Sequence, residues 1–127
     1  MLTGMGHGVE GRTRSGPLSL AEAKAVATTL QALGTPSRLL ILSRLRQGPA
    51  TVGELVTSVG MTQSAISHQL RLLRHLGLVE GERHGQSVRY ALYDNHVAQL
   101  LDEAIYHAEH LQLGAPDSGP APGPAQP

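Results

Sequence analysis

Apolar side chains recur at three- and four-residue spacing along five stretches of this chain and alternate with polar ones along two, in the order four helices, two strands, one helix. In the first helix Leu20, Ala23, Val26, Ala27, Leu30 and Leu33 follow a capping Ser19 and stop at Gly34. Thr35-Pro36 reads as the N-cap and first residue of a second, whose Leu39, Leu40, Leu42 and Leu45 run to Gln47 before Gly48-Pro49 stops it. Thr51 and Glu54 have the spacing of a capping box and start a short helix through Leu55, Val56 and Val59, closed by Gly60. Thr62 caps the fourth, Gln63 to about His75, ended by Gly77. After Gly77, Leu78 to Arg83 and Ser87 to Tyr93 alternate like strands, with His84-Gly85-Gln86 as the turn.

The third and fourth helices are separated by a few residues with Gly60 at the join, which predicts a helix-turn-helix. Ala65, Ile66, Leu70, Leu73 and Leu76 give the fourth helix its buried side. Its other side carries Gln63, Ser64, Ser67, His68, Gln69, Arg71 and Arg74, and no acidic residue occurs from Thr62 to Leu78. Solvated helices ordinarily carry Glu and Lys there, whereas short or bidentate hydrogen-bonding groups suit base edges and phosphates in a major groove. The hairpin is then a wing, with Arg83, His84 and Arg89 placed for a DNA backbone or minor groove.

The last helix, from Asp94 to Leu111, has its apolar stripe at Val97, Leu100, Leu101, Ala104, Ile105, Ala108 and Leu111. Asp94 and His96 stand at its start, His107 and His110 near its end. Asp94 alone reads equally as an N-cap, and His110 alone as a cation at the negative end of the helix dipole. Together they form two pairs of metal-competent groups. A helix rises ~16 Å from residue 96 to 107, while ligands of one ion lie within ~4 Å of each other at bonds of ~2.0–2.2 Å. One chain therefore cannot close the site, but two copies packed antiparallel through the stripe bring one chain's first pair beside the other's second. Such a dimer carries two equivalent sites ~20 Å apart by helical rise.

Composition adjusts this picture in three ways. The 127 residues suffice for one domain, and with 3 Tyr and no Phe or Trp its core is aliphatic and modest, so oligomerisation would help to stabilise it. There is no Cys, so a metal must be held by nitrogen and oxygen. The net charge of zero hides a split: residues 35–93 hold seven Arg and three Glu, residues 94–127 five acidic groups and no Lys or Arg. The cationic middle suits a polyanion, and the acidic end a cation. No leader and no run of eighteen apolar residues is visible, so a cytoplasmic protein without membrane association is expected. Residues 1–18 read as a flexible arm, 19–113 as a winged-helix DNA-binding and dimerisation domain, and 114–127 as a disordered Pro- and Gly-rich tail.

Residues from about 19 to 113 resemble the ArsR/SmtB family of winged-helix metal-sensing regulators. The resemblance rests on Thr35-Pro36-Ser37-Arg38-Leu39, on Gln63-Ser64-Ala65-Ile66-Ser67-His68-Gln69-Leu70, on Leu73-Arg74-His75-Leu76-Gly77-Leu78-Val79 and on the terminal Asp94, His96, His107 and His110. It implies a mainly helical winged helix-turn-helix with a β-hairpin wing, a homodimer formed through the N- and C-terminal helices. It also implies operator DNA with an imperfect palindrome as partner, and release of that DNA by metal, a coupling of ~1–3 kcal/mol or more between two sites. Asp94, His96, His107 and His110 would be the ligands. If synthesis begins at Met5 and that residue is removed, the amine of Gly6 and the imidazole of His7 are two further nitrogen donors. One carboxylate and three imidazoles suit Zn(II), while six nitrogen and oxygen donors suit Ni(II), the expected ion, or Co(II). The alternatives are a Zn(II)-sensing or metal-independent winged-helix regulator, and, less favoured for want of an enclosed pocket with a general base, a metal-handling protein or hydrolase.

Overall fold

The structure, a computed structural model, describes residues 16–114; the arm up to residue 15, with Gly6 and His7, and the tail from residue 115 lie outside the described residues. Five helices and one hairpin follow in the expected order: α1 (Leu20–Leu33), α2 (Pro36–Arg46), α3 (Val52–Val59), α4 (Gln63–His75), β1 (Val79–His84), β2 (Ser87–Leu92) and α5 (Asn95–Gly114). The fold is mainly α with a two-stranded antiparallel wing.

Side chains satisfy the first amides of each helix. The Glu22 and Glu54 amides donate to Ser19 Oγ and Thr51 Oγ1, both at 3.1 Å, while the two glutamate carboxylates accept from the Ser19 and Thr51 amides at 2.8 and 2.9 Å. These are reciprocal capping boxes, which answer two orphan donors each. Thr62 Oγ1 accepts from the Ala65 amide at 3.1 Å and Thr35 Oγ1 from the Arg38 amide at 3.4 Å. Gly60 ends α3 in the left-handed region at φ 82°, a conformation that costs residues with a Cβ, and so turns the chain sharply into α4.

Ile41, Leu42 and Leu45 of α2, Leu55 of α3 and Ile66, Leu70 and Leu73 of α4 close over one another and over Leu78 and Val79 to form the aliphatic core. Each such side chain contributes roughly 1.5–3 kcal/mol by leaving water. Among these, Ile41 falls outside the leucine spacing read from the sequence, yet it is fully buried.

The wing is tighter than expected. His84 pairs with Ser87, so the loop is Gly85-Gln86, with Gly85 at φ 64°. Leu78 belongs to the exit of α4 rather than to a strand: its amide donates to the Leu73 carbonyl at 2.9 Å, and its carbonyl accepts from the Tyr93 amide at 3.0 Å. Ala50 exchanges two backbone bonds with Tyr90, at 2.9 and 2.8 Å, and so ties the α2–α3 connection to β2. A one-residue bridge beside Pro49 has no period for a sequence reading to find.

The described residues fall into two units, divided between Val97 and Ala98 within α5. In the first, α1 buries Ala32 and Leu33 but leaves Leu20, Val26 and Leu30 exposed, Leu20 at 72%. In the second, α5 buries Leu101 and leaves Leu100, Ile105, Tyr106 and Leu111 exposed. The stripe predicted to be sticky is thus largely uncovered in a single chain.

The Glu54 carboxyl is held below its ordinary value of 4.5, chiefly by the Thr51 amide; desolvation opposes this as the next largest effect, and Arg89 and Arg44 each add a smaller lowering. A carboxyl depressed in the folded state stabilises it above the unfolded-state value, and that contribution is lost as pH falls through the folded value. The stability advantage of the native protein over Glu54→Gln, measured by thermal melting, should therefore be full at neutral pH and shrink as pH is lowered from 4.5. An advantage that stays constant down to acid pH would refute this role of the carboxylate.

Candidate nucleic-acid interface and metal-ligand helix

On α4, the side chains of Gln63, Ser64, His68, Arg71 and Arg74 are exposed, while Ile66, Leu70 and Leu73 face the core. Ser67 and Gln69 are half-buried. Gln69 is not free: its Oε1 accepts a hydrogen bond from Arg38 Nε at 3.0 Å. On the wing, Arg83 and His84 are exposed near the tip, and His84 Nε2 lies 3.5 Å from Glu82. Arg89 sits lower on β2 with its guanidinium 3.6 Å from Glu54 at the start of α3. The wing thus offers a phosphate Arg83 directly, whereas His84 and Arg89 each reach one in competition with a carboxylate.

At the other candidate site, Asp94 has both roles that its sequence position allows. Its Oδ1 accepts the Val97 amide at 3.1 Å, which caps α5, and its Oδ2 lies 3.5 Å from His96 Nδ1. One carboxylate oxygen is spent on the helix and the other faces the imidazole, with both side chains still open to solvent. His107 and His110 are exposed on α5, three residues apart and therefore neighbours on its surface. The His110 ring stacks on Tyr106 with centroids 6.0 Å apart and planes inclined by 22°. Among the described residues, no group of three or more His, Cys, Asp or Glu in a single chain could hold a metal ion. The donors instead form two pairs, of carboxylate plus imidazole and of two imidazoles, which fit a nitrogen- and oxygen-preferring divalent ion only when a second source of ligands is added.

Three residues with a part in these sites escaped the sequence reading. Arg38 was visible only as part of a motif; its place in the first turn of α2, where the helix dipole disfavours a cation, was the available signal that something specific holds it. Glu54 was seen as a cap and not as the partner of Arg89, because that pairing depends on folding β2 against α3. Tyr106 precedes His110 by four residues, the spacing at which helical rings meet.

A helix-turn-helix with a polar, acid-free outer face, followed by a basic-tipped hairpin, defines a winged helix-turn-helix protein of the DNA-binding kind. Residues 35–81 match the bacterial regulatory protein, arsR family. The chain is 64% identical over 120 residues to the HTH-type transcriptional regulator NmtR of Mycobacterium tuberculosis, covering 94% of this chain and 100% of that one. The solution structure of apo-NmtR is likewise 64% identical, with a TM-score of 0.68, covering 91% of this chain and 98% of that one. A second solution structure, the homodimeric winged helix-turn-helix DNA-binding domain of a possible ArsR-family transcriptional regulator from Mycobacterium bovis, matches at 32% identity and a TM-score of 0.68, over 77% and 92% of the two chains. The chain belongs to the ArsR/SmtB family of transcriptional regulators and is not an enzyme.

The double use of Asp94 makes it separable by substitution. Asp94→Asn keeps an N-capping oxygen, whereas Asp94→Ala removes it at a cost of about 0.5–2 kcal/mol. Circular dichroism should show α5 of the Ala variant fraying at lower temperature, with the Asn variant melting close to the native protein. Equal losses in both would mean that the charge, and not the cap, supports the helix.

Proposed function

We propose that this protein is a homodimeric, metal-responsive repressor in which one Ni(II) ion per site is held between the terminal helices of two subunits, with Co(II) and Zn(II) as competing ions. The observation that carries this reading is the distribution of donors along α5: the Asp94/His96 pair at one end and the His107/His110 pair at the other, on a helix whose Leu100, Ile105 and Leu111 remain exposed among the described residues. A second copy packed antiparallel covers the apolar residues and completes the donor set in one step. The exposed Leu20, Val26 and Leu30 of α1 are a further face for that copy. His7, with the Gly6 amine if the chain is processed to that residue, supplies the additional donors that an octahedral ion takes and a tetrahedral one does not.

On the DNA side, Gln63, Ser64, Ser67, His68, Arg71 and Arg74 are the residues of α4 that meet bases and phosphates in the major groove, and Arg83, His84 and Arg89 those of the wing that meet the backbone. A two-fold dimer presents two such helices, so the operator is an imperfect palindrome with half-sites one turn, ~34 Å, or a multiple of it apart. An ion bound by both subunits favours one arrangement of the two chains and thereby changes how well the two α4 helices meet that spacing. As a DNA-bound regulator it acts in the cytoplasm; no helix among the described residues is long and apolar enough to cross a membrane.

Two experiments test this. With a duplex selected by the intact protein from a random-sequence pool, Arg71→Ala should weaken binding by ~1–3 kcal/mol, as loss of a groove contact does, while leaving dimer mass and metal affinity unchanged. Unchanged duplex affinity at fixed salt would take Arg71 out of the interface. For the metal, deletion of residues 1–8 should abolish most of the Ni(II)-induced change in duplex affinity and little of any Zn(II)-induced change. A truncated protein that responds fully to Ni(II) would leave the site to Asp94, His96, His107 and His110 with water.

A further inference from the structure

Arg38 occupies the first turn of α2, whose partial positive charge disfavours a cation, and α2 has no acidic residue in that turn to offset it. What holds the guanidinium lies on two other helices. Its Nε donates to Gln69 Oε1 on α4 at 3.0 Å, and one terminal nitrogen donates to the Gln31 carbonyl in the last turn of α1 at 3.4 Å. A single half-buried side chain therefore touches three helices. Gln69 in turn differs from the other polar residues of α4: Gln63, Ser64, His68, Arg71 and Arg74 are exposed, while Gln69, half-buried like Ser67, has its amide oxygen already occupied. A Gln that reads adenine does so with both its amide oxygen and its amide nitrogen. Here the oxygen would first have to leave a charge-assisted bond, which is about twice as strong as a neutral one.

We propose that Gln69 is a positioning residue and not a base reader: its bond to Arg38 sets the rotation of the recognition helix α4 about its own axis. Because the same guanidinium holds the α1 carbonyl, it ties that rotation to a helix whose apolar residues await a second subunit. The inference rests on the reading of α4 as the DNA-facing helix.

The test uses full-length protein and a duplex chosen by the native chain from a random-sequence pool. Gln69→Ala and Arg38→Ala should each weaken binding by about 10-fold, the fold-change of one lost charge-assisted hydrogen bond, and the double variant should bind no worse than the weaker single one, since both remove the same link. Reselection with Gln69→Ala should return the native base preference at every position. Gln69→Glu keeps the acceptor and should bind within about 3-fold of the native protein while Arg38 is present, but below Gln69→Ala once Arg38 is replaced, because its charge is then unpaired. Gln69→Ala removes no core residue and introduces the best helix former, so the reselection stands even where Arg38→Ala is poorly folded. A changed preference at one base pair in Gln69→Ala, or losses that add in the double variant, would overturn the proposal. A native chain that enriches no sequence would overturn the DNA reading of α4 and this inference with it.

Discussion

The rise of an α-helix limits what the end of this chain can do. His96 and His107 belong to one continuous helix and stand eleven residues apart, which is ~16 Å; a divalent ion gathers its ligands within ~4 Å. No side-chain rotation spans that difference. The two pairs of one α5 therefore cannot meet on the same ion, whereas pairs from two chains can, and the apolar residues left exposed between the two pairs are what a second chain would cover. In the proposed function, the same interface that joins two subunits also assembles the donors, and the sensor needs no preformed pocket within one chain.

The first unit is built to hold a recognition helix still. Caps at Ser19, Thr35, Thr51 and Thr62 start four helices on defined residues, Gly60 sets the turn between α3 and α4, and the buried leucines of α2, α3 and α4 leave α4 with one face to the core and one to solvent. Charge refines the arrangement. Glu54 closes a capping box and also faces Arg89, so that the wing is linked electrostatically to the helix-turn-helix. Arg38 does the same between α1 and α4 through hydrogen bonds. Basic residues in such a protein divide into those that are free to meet phosphate, such as Arg71, Arg74 and Arg83, and those already engaged within the fold.

Helix boundaries were legible in the sequence because they depend on local chemistry: a hydroxyl that accepts an amide three residues on, and a glycine or proline that cannot continue the helix. The order of elements followed from periodicity, and the pairing of carboxylate and imidazoles on the last helix from spacing alone. What could not be read depends on residues distant in sequence. The Ala50 bridge to Tyr90, the engagement of Gln69 by Arg38 and of Arg89 by Glu54 are contacts across 40, 31 and 35 positions, and nothing in a local window specifies them. The same limit applied to α1, whose apolar stripe reads like any core-facing helix until folding leaves Leu20 and Leu30 uncovered.

The central claim, that the ligands of one ion come from two chains, is tested most directly by mixing two defective proteins. A chain with Asp94→Ala and His96→Ala lacks one pair, and a chain with His107→Ala and His110→Ala lacks the other. Neither should bind Ni(II) as a homodimer. Unfolded and refolded together, they form heterodimers in which one site receives both intact pairs, from opposite chains, and the other receives neither. Metal titration of the mixture should therefore recover tight Ni(II) binding at one ion per heterodimer, with the absorption spectrum of the native site. A mixture that binds no better than its two components, although mass measurement shows the heterodimer, would contradict a site shared between subunits.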